Sequence, residues 1–382
     1  MTPRDVRRAG PSTLAIHGGA ERGDVDAASG AIHREVPPEV EYGTAEFVRR
    51  PSAPNADAVA RRLAGLEGGE AAQVMASGMG ATAAALLALL RPGDHLLASS
   101  WLPGGTRRFL VEELGGRGVD VALVDPLESR GWRKRLRKQT RAIFVESPSS
   151  GSGRVLDLRP ISYLTHESGL ALVVDATRGS PAVVRPLDHG ADLVLHASLR
   201  HLAGHADLPG GVVVGTAPVI DEVREKMYRW GQVPDPEVAW LLQRGLATLE
   251  LRLARQAETA GRIAAWAADR RDVRRVHWPG LPEHPDHEIA LAMLVRPLPT
   301  VGLELGGGTR AAERLLKRLR LIRPAPALGG VETTASEPRH VTHQHLDAQE
   351  RGIIGIPDGL VQIACGLEDA ADLIADLEQA LR

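Results

Sequence analysis

The sequence is poor in cysteine, lysine and aromatic residues. Cys365 is the only cysteine among the 382 residues, which excludes an internal disulfide and a cysteine-built metal site. It ends the run 361–365, which is typical of a strand, so we expect a packed core thiol rather than a nucleophile. Lysine occurs only at positions 134, 138, 226 and 317. Nearly all of the positive charge is therefore carried by arginine.

Long apolar runs and an excess of charge of one sign are also missing. No run reaches the roughly eighteen apolar residues of a membrane helix, and the arginine-rich N-terminus lacks the apolar core of a signal peptide. The formal net charge of -2 gives no overall field that would attract nucleic acid or an anionic membrane. The basic run 133–138 has only Trp132 as an aromatic neighbour, which favours a solvated helix face. We therefore expect a cytoplasmic protein without nucleic acid or membrane partners.

The length and the order of apolar segments predict more than one domain. From residue 55 onward, short apolar runs alternate with helical patterns, which indicates an α/β fold with a largely parallel sheet. We expect an N-terminal arm over 1–54, a large α/β domain over 55–235, a long helix or kinked pair over 236–270, and a small α+β domain over 271–382.

Polar residues follow several predicted strands, where ligands of open α/β sheets gather. Ser77-Gly78-Met79 comes between a strand and a helix, and the N–H groups of such a helix end suit a phosphate. Asp175 could hold a protonated heterocyclic nitrogen or only cap the next turn. The three histidines 196, 201 and 205 span a strand-to-loop junction rather than one helix face, so no metal site is expected.

Several segments resemble the Cys/Met-metabolism family, which includes cystathionine γ-synthase, cystathionine lyases and methionine γ-lyase. The resemblance runs from Ile16 to Leu381 and rests on motifs that stand in the family's order. These motifs are Leu66-Glu67-Gly68-Gly69-Glu70-Ala71, Ser77-Gly78-Met79, Glu146-Ser147-Pro148, Asp175 with Thr177, Ala239-Trp240-Leu241-Leu242, Leu328-Gly329-Gly330-Val331-Glu332, Thr342-His343 and Gly355-Ile356-Pro357-Asp358-Gly359-Leu360.

The resemblance implies an α/β fold of the pyridoxal-phosphate (PLP) transferase type, fold type I, which is similar to aspartate aminotransferase. It implies a mainly parallel seven-stranded sheet in the large domain and a smaller C-terminal α+β domain. It also implies a homo-oligomer, either a dimer or a tetramer, in which a neighbouring subunit contributes to each site.

The chain departs from the family at the lysine that binds PLP covalently. In the family this lysine ends a Ser-x-Thr-Lys segment, whereas the corresponding residues here are Ala197-Ser198-Leu199-Arg200. A guanidinium stays protonated and is a poor nucleophile, whereas Schiff-base chemistry needs an amine that can lose its proton. Arg200 therefore cannot replace the lysine.

Other family positions that contact PLP or substrate have also changed. Ala197 and Leu199 replace two hydroxyl residues that bind phosphate, and Pro103 replaces a tyrosine that stacks on the cofactor ring. Thr44 replaces the arginine two positions after Tyr42, and Gln362 replaces the arginine that grips the substrate carboxylate. Each lost charge-assisted bond is worth about 1.5–3 kcal/mol. We therefore expect no PLP cofactor, or PLP that is held weakly and without a covalent bond.

Charged residues nevertheless remain in the expected pocket. Its arginines could bind a small anionic or amino-acid-like ligand through bidentate contacts, or they could only form ion pairs with Asp175 and Glu146. The candidate catalytic residues are His201, Arg200 and Asp175. The candidate ligand-binding or cofactor-binding residues are Ser77, Gly78, Met79, Tyr42, Trp101, Glu146, Asp175, Thr177, Arg178, Ser198, Arg200, His205 and Glu332.

Two functional hypotheses follow from the resemblance and its departures. The first is a PLP-independent derivative, which is either an enzyme repurposed for acid–base chemistry or a pseudoenzyme that supports a lysine-bearing paralogue. The second is an active C–S lyase or γ-replacement transferase on sulfur amino acids that holds PLP noncovalently, with His201 as the base. Absorbance in the near-ultraviolet or visible range would distinguish them, because bound PLP is coloured.

Overall fold

A seven-stranded sheet forms the centre of the first half of the chain. The computed structural model describes residues 10–17, 32, 54–128, 131–326 and 328–382. Within this part the sheet has the spatial order β1-β7-β6-β5-β4-β2-β3, and only β7 runs antiparallel to its neighbours. Its strands are β1 Ala71–Met75, β2 His95–Ser99, β3 Asp120–Val124, β4 Thr140–Glu146, β5 Ala171–Asp175, β6 Leu193–Ala197 and β7 Gly211–Gly215. The predicted mainly parallel seven-stranded sheet is confirmed.

The central strands are buried on both faces because helices cover the sheet. Ala142, Ile143, Phe144 and Val145 of β4 are all fully buried, as expected for a parallel strand between two helical layers. The helices of this half are α1 Pro11–His17, α2 Pro54–Glu67, α3 Gly78–Leu89, α4 Gly104–Arg108, α5 Gly131–Lys134, α6 Leu158–Glu167 and α7 Ala217–Trp230. No helix in the described ranges is both long and apolar enough to span a membrane.

Two consecutive helices connect this sheet to a second one. The predicted linking segment contains α8 Pro236–Leu246 and α9 Leu249–Ala268, so it is a pair of helices rather than one. The second sheet has the order β10-β11-β12-β9-β8. The remaining elements are β8 Val273–His277, α10 His287–Met293, β9 Thr300–Leu305, α11 Gly308–Arg318, β10 Arg323–Pro324, β11 Thr334–Ser336, α12 Ala348–Ile353, β12 Leu360–Ala364 and α13 Ala370–Leu381.

Some predicted helices differ from those observed. The helix predicted over 106–114 begins at Gly104 and changes into a π-helix over Phe109–Leu114. The spacing of its apolar residues does not distinguish an α-helix from a π-helix, because Leu110 and Leu114 lie on the buried side of both helix types. The helix predicted around 128–138 is only the four-residue α5. The C-terminal half of the predicted segment is a run of like charges, and repulsion between them destabilises a helix.

The predicted N-terminal arm lies largely outside the described residues, and so does Tyr42. Its described part is chiefly α1, which is held by the buried guanidinium of Arg62. This side chain donates to the carbonyl oxygen of Ile16 at 3.0 Å and to that of Gln243 at 3.0 Å. One buried arginine thus joins α1, α2 and α8.

Candidate active site

The candidate site lies where β4, β5 and β6 end. Glu146 and Asp175 are the last residues of β4 and β5 and stand opposite each other in the parallel register. Ala197 ends β6. Because parallel strands end at the same edge, the three predicted polar segments meet there, as the sequence analysis expected.

The helix α3 begins directly beside the end of β6. Ser77 is its N-cap, and its Oγ accepts a hydrogen bond from the Gly80 N–H at 3.0 Å. Gly78 lies so close to β6 that a Cβ there would be 2.5 Å from the Cβ of Ala197. Met79, in the first turn, is 40% exposed. The first turn of this twelve-residue helix therefore presents N–H groups to the site, as an anion seat requires.

A short hydrogen-bond chain connects Asp175 to β6. The Asp175 Oδ1 accepts from the N–H of Thr177 at 3.0 Å, and the Thr177 Oγ1 accepts from the N–H of Ala197 at 2.9 Å. Thr177 is buried, whereas Asp175 is only partly buried. Thr177 thus has a structural role, and the Asp175 carboxylate remains accessible to a ligand.

Glu146 is buried much more deeply than Asp175, with 2% of its surface exposed. Its two carboxyl oxygens accept from the backbone N–H of Ser150 at 2.6 Å and from the Ser150 Oγ at 2.7 Å. Burial and then the nearby Asp175 raise the pKa of Glu146 to about 7, although the Ser150 bonds and Arg178 oppose this. Glu146 therefore changes charge near neutral pH.

Two arginines bring positive charge to these carboxyl groups. Arg178 is 3% exposed, and its pKa is lowered to about 9 by burial and by Arg200, against the opposing effect of Glu146. Burial also lowers the pKa of Arg200, while Glu146 and Asp175 raise it. The structure thus brings together the four charged residues that the sequence analysis placed in one pocket.

His201 is buried, and the charges of these arginines act on it. Burial, followed by the charges of Arg178, Arg200 and Arg252, lowers its pKa to about 3, although a hydrogen bond with the Arg178 backbone opposes the shift. The imidazole is therefore neutral at physiological pH, and it is a weak base. Its Nδ1 has no hydrogen-bond partner among the described residues.

Four other predicted residues lie in different surroundings. Ser198 is buried, and its Oγ donates to the carbonyl oxygen of Leu208 at 3.1 Å. Trp101 is 3% exposed, with the Arg154 guanidinium 5.2 Å from its ring centre. His205 is exposed, and Glu332 is an exposed residue that pairs with Arg323 at 3.4 Å. Ser198 and Trp101 are therefore buried structural side chains, whereas His205 and Glu332 are exposed to solvent.

The three histidines considered as metal ligands do not converge. His196 is fully buried with its Nε2 2.5 Å from Glu67 Oε1. His201 is buried and forms a hydrogen bond with the Arg178 backbone, and His205 is at the surface. A different group, Glu313, Glu337 and His340, brings its ligand atoms within 4.8 Å of one another in the described ranges. Arg339 forms ion pairs with both of these glutamates, so the group is an ion-pair network.

Sequence reasoning missed three residues that shape the site. Ser150 holds Glu146, and Arg252 donates to the carbonyl oxygens of His201 at 2.8 Å and of Leu202 at 3.3 Å. His343 is fully buried; burial lowers its pKa to about 4, with Arg178 among the charges that contribute. Only His343 had a signal in the sequence, because it belongs to the Thr342-His343 motif.

Known proteins are similar to this chain over nearly its full length. The family model for Cys/Met metabolism PLP-dependent enzymes matches residues 27–382. L-methionine gamma-lyase of Pseudomonas putida is 37% identical over 355 residues, which cover 90% of this chain and 89% of that protein. Cystathionine gamma-synthase of Mycobacterium tuberculosis is 35% identical over 386 residues, or 97% of each chain. The crystal structure of metB from Corynebacterium glutamicum has a TM-score of 0.91 at 32% identity and covers 100% of this chain and 99% of that chain.

The pocket fits the noncovalent part of a PLP site. The first turn of α3 suits the phosphate, and the close approach of Gly78 to Ala197 keeps that turn beside β6. The accessible Asp175 carboxylate suits a protonated ring nitrogen. Arg200 follows the end of β6, and the four lysines of the sequence lie on α5, shortly after α5, on α7 and on α11.

These similarities correct one prediction and confirm another. The expectation of no cofactor is wrong, because the matching family consists of PLP-dependent enzymes. Fold type I is confirmed by the structural match and the family. The full-length match and the retained phosphate and Asp175 segments lead to one conclusion: the chain belongs to the Cys/Met metabolism PLP-dependent enzyme family.

Proposed function

We propose that this protein binds PLP noncovalently and acts on sulfur amino acids as a C–S lyase or γ-replacement transferase. The observation that carries the proposal is the position of Arg200. It stands at the end of the segment where the family has its lysine, while the α3 N-terminus and Asp175 remain beside it. In this proposal, the α3 N-terminus and Asp175 hold PLP without an amine that would bind it covalently.

Each part of this pocket has a role in the proposal. The α3 N-terminus binds the cofactor phosphate, and Asp175 holds the ring nitrogen in its protonated form. When bound, PLP supplies an electron sink for bond cleavage next to the substrate's amino nitrogen. Arg178 and Arg200 bind an acidic group of the substrate, a function suited to planar guanidinium groups.

His201 was predicted to be the base of a noncovalent PLP enzyme, and its lowered pKa changes that prediction. An imidazole with a pKa of about 3 gains little from accepting a proton at neutral pH, since efficient proton carriers have pKa values near the working pH. We propose instead that His201 is a neutral hydrogen-bonding group that supports Arg178.

PLP retention is the direct test. Protein incubated with PLP and passed through a desalting column should show cofactor absorbance, and denaturation should release all of the PLP. Asp175→Asn should bind PLP about tenfold to a hundredfold more weakly, as expected for one lost charge-assisted hydrogen bond. Absorbance no greater than that of protein never exposed to PLP would contradict the proposal.

Borohydride treatment followed by intact-mass measurement tests the role of Arg200. Wild-type protein should gain no PLP mass, whereas Arg200→Lys should gain one PLP, because a lysine there restores a reducible bond. Arg159→Lys is the matched control, since Arg159 is an exposed arginine on α6, and it should gain none. A PLP mass on the wild-type protein would overturn the noncovalent assignment.

The same position of Arg200 favours a second candidate function. The protein could be a subunit with no turnover of its own that completes or regulates a lysine-bearing relative in a mixed oligomer. Thiol release from L-methionine or L-cystathionine by the purified protein would exclude this candidate. Two results together would support it: the purified protein has no activity by itself, and it alters the activity of a co-expressed relative.

A further inference from the structure

Glu146 is the most deeply buried carboxyl group of the candidate site, and its surroundings are unusual. It is 2% exposed and lies next to Asp175 in the strand register. Arg178 and Arg200 also act on it electrostatically. Ser150 occupies both carboxyl oxygens. Glu146 is therefore coupled to the charges of the pocket while its oxygens are already engaged within the protein.

We propose that Glu146 takes up one proton from solvent when an anionic ligand binds beside Arg178 and Arg200. The inference rests on the proposed function only in placing an anion at this end of the sheet. Glu146 does not contact the ligand; it responds to the ligand's charge and offsets part of that charge by taking up a proton. It is thus not a catalytic residue.

The direction of proton movement follows from the charges that face Glu146. Arg178 stabilises its ionised form, whereas Asp175 and burial favour the protonated form. A bound anion offsets the field of the arginines and adds a further negative charge, and both effects favour protonation. The pKa of Glu146 is already raised to about 7, so a small further increase is enough for proton uptake near neutral pH.

The other groups whose pKa is shifted in this site do not titrate in that range. Lowered pKa values of about 3 and about 4 keep His201 and His343 neutral. Arg178, with a pKa of about 9, remains charged at neutral pH. Proton uptake linked to anion binding is therefore assigned to Glu146.

Sulfate is a suitable probe because it does not titrate between pH 5.5 and about 9. Isothermal titration calorimetry at pH 7.5, in two buffers of different ionisation enthalpy, counts the protons that accompany binding. We expect uptake of a substantial fraction of one proton per sulfate, and a Kd about fivefold larger at pH 8.0 than at pH 6.0. Arg178, with a pKa of about 9, remains largely charged between these two pH values. No net proton uptake, a pH-independent Kd, or no sulfate binding over this range would overturn the inference.

Two glutamine variants locate the proton. Glu146→Gln should bind sulfate with no proton uptake and with little dependence on pH. Glu368→Gln is a matched control: both oxygens of Glu368 accept from Thr333, from its N–H at 2.7 Å and from its Oγ1 at 2.7 Å. This variant should keep the wild-type pH dependence. Unchanged pH dependence in Glu146→Gln would show that a different group takes up the proton.

The wild-type proton count tests the inference even if Glu146→Gln does not fold. Failure of the proposed function has a separate signature, since it appears as missing PLP absorbance. Sulfate binding with proton uptake but no PLP retention would contradict only the proposed function. PLP retention without proton-linked sulfate binding would contradict only the role of Glu146.

Discussion

Gly78, at the start of α3, packs directly against Ala197, at the end of β6. A Cβ on Gly78 would be 2.5 Å from the Cβ of Ala197 and 3.1 Å from its Cα. The backbone of Gly78 is not in the left-handed region that favours glycine. Glycine is needed at this position because Ala197 lies too close for a side chain. The contact sets the distance between the proposed phosphate seat and the segment that carries Arg200.

Gly78→Ala should therefore separate α3 from β6 and weaken PLP retention. Overpacking of this kind typically costs about 1–3 kcal/mol, because the backbone of β6 must move. Urea unfolding would measure the stability, and PLP absorbance after desalting would measure the site. Gly105→Ala is the control, since a Cβ there meets nothing within 4 Å and should leave both properties unchanged. Equal effects of the two substitutions would contradict the role of the contact.

Arg252 on α9 should be essential for the loop that carries Arg200 and His201. It is 4% exposed, and its guanidinium donates to three backbone carbonyl oxygens, those of His201, Leu202 and Gly245. Arg252→Gln leaves buried carbonyl groups without their donors, so we expect a loss of about 3 kcal/mol in unfolding free energy. Urea unfolding at pH 7.5 is the measurement.

Arg255→Gln provides the comparison for Arg252. Arg255 is on the same helix and forms an ion pair with Asp369, whose side chain is 80% exposed. Exposed pairs of this kind contribute at most about 1 kcal/mol, so this substitution should have a small effect. A loss for Arg252→Gln as small as that for Arg255→Gln would show that the loop does not depend on Arg252.

The sequence predicted which strand ends lie together, because strand positions follow from local apolar patterns. The apolar runs ending near Glu146, Asp175 and Ala197 indicated parallel strands, and parallel strands end at one edge of the sheet. The linking helices and the strand Leu360–Ala364 were also predicted, since their apolar patterns are long or nearly continuous. These features depend on the local spacing of apolar residues, which can be read from a single sequence.

The contacts within the site could not be predicted in the same way. Ser150 is one of several serines in a polar loop, and only the fold turns its N–H and Oγ toward Glu146. His201 was predicted to be a base because histidine usually titrates near neutral pH. Its pKa is lowered by burial and by the charges of three arginines, two of which, Arg178 and Arg252, are distant in sequence. The periodicity of apolar residues does not predict such long-range contacts.

The neutral state of buried His201 predicts a specific dependence of stability on pH. Its pKa is lowered from the ordinary value of 6.5 to about 3 in the folded protein. Between these values the unfolded chain binds one more proton at this residue than the folded protein does, so the folded protein is destabilised as pH falls below about 6.5. Linkage gives about 1.4 kcal/mol for the contribution of this one residue between pH 7.5 and pH 5.5.

His201→Gln removes the titrating group but keeps a neutral polar side chain. Urea unfolding at pH 7.5 and pH 5.5 should show that this variant loses about 1.4 kcal/mol less than the wild-type protein on acidification. His166→Gln is the control, because the His166 side chain is 53% exposed and should leave the wild-type difference unchanged. Equal losses in wild-type protein and His201→Gln would mean that His201 accepts a proton in the folded state, which would restore it as a candidate base.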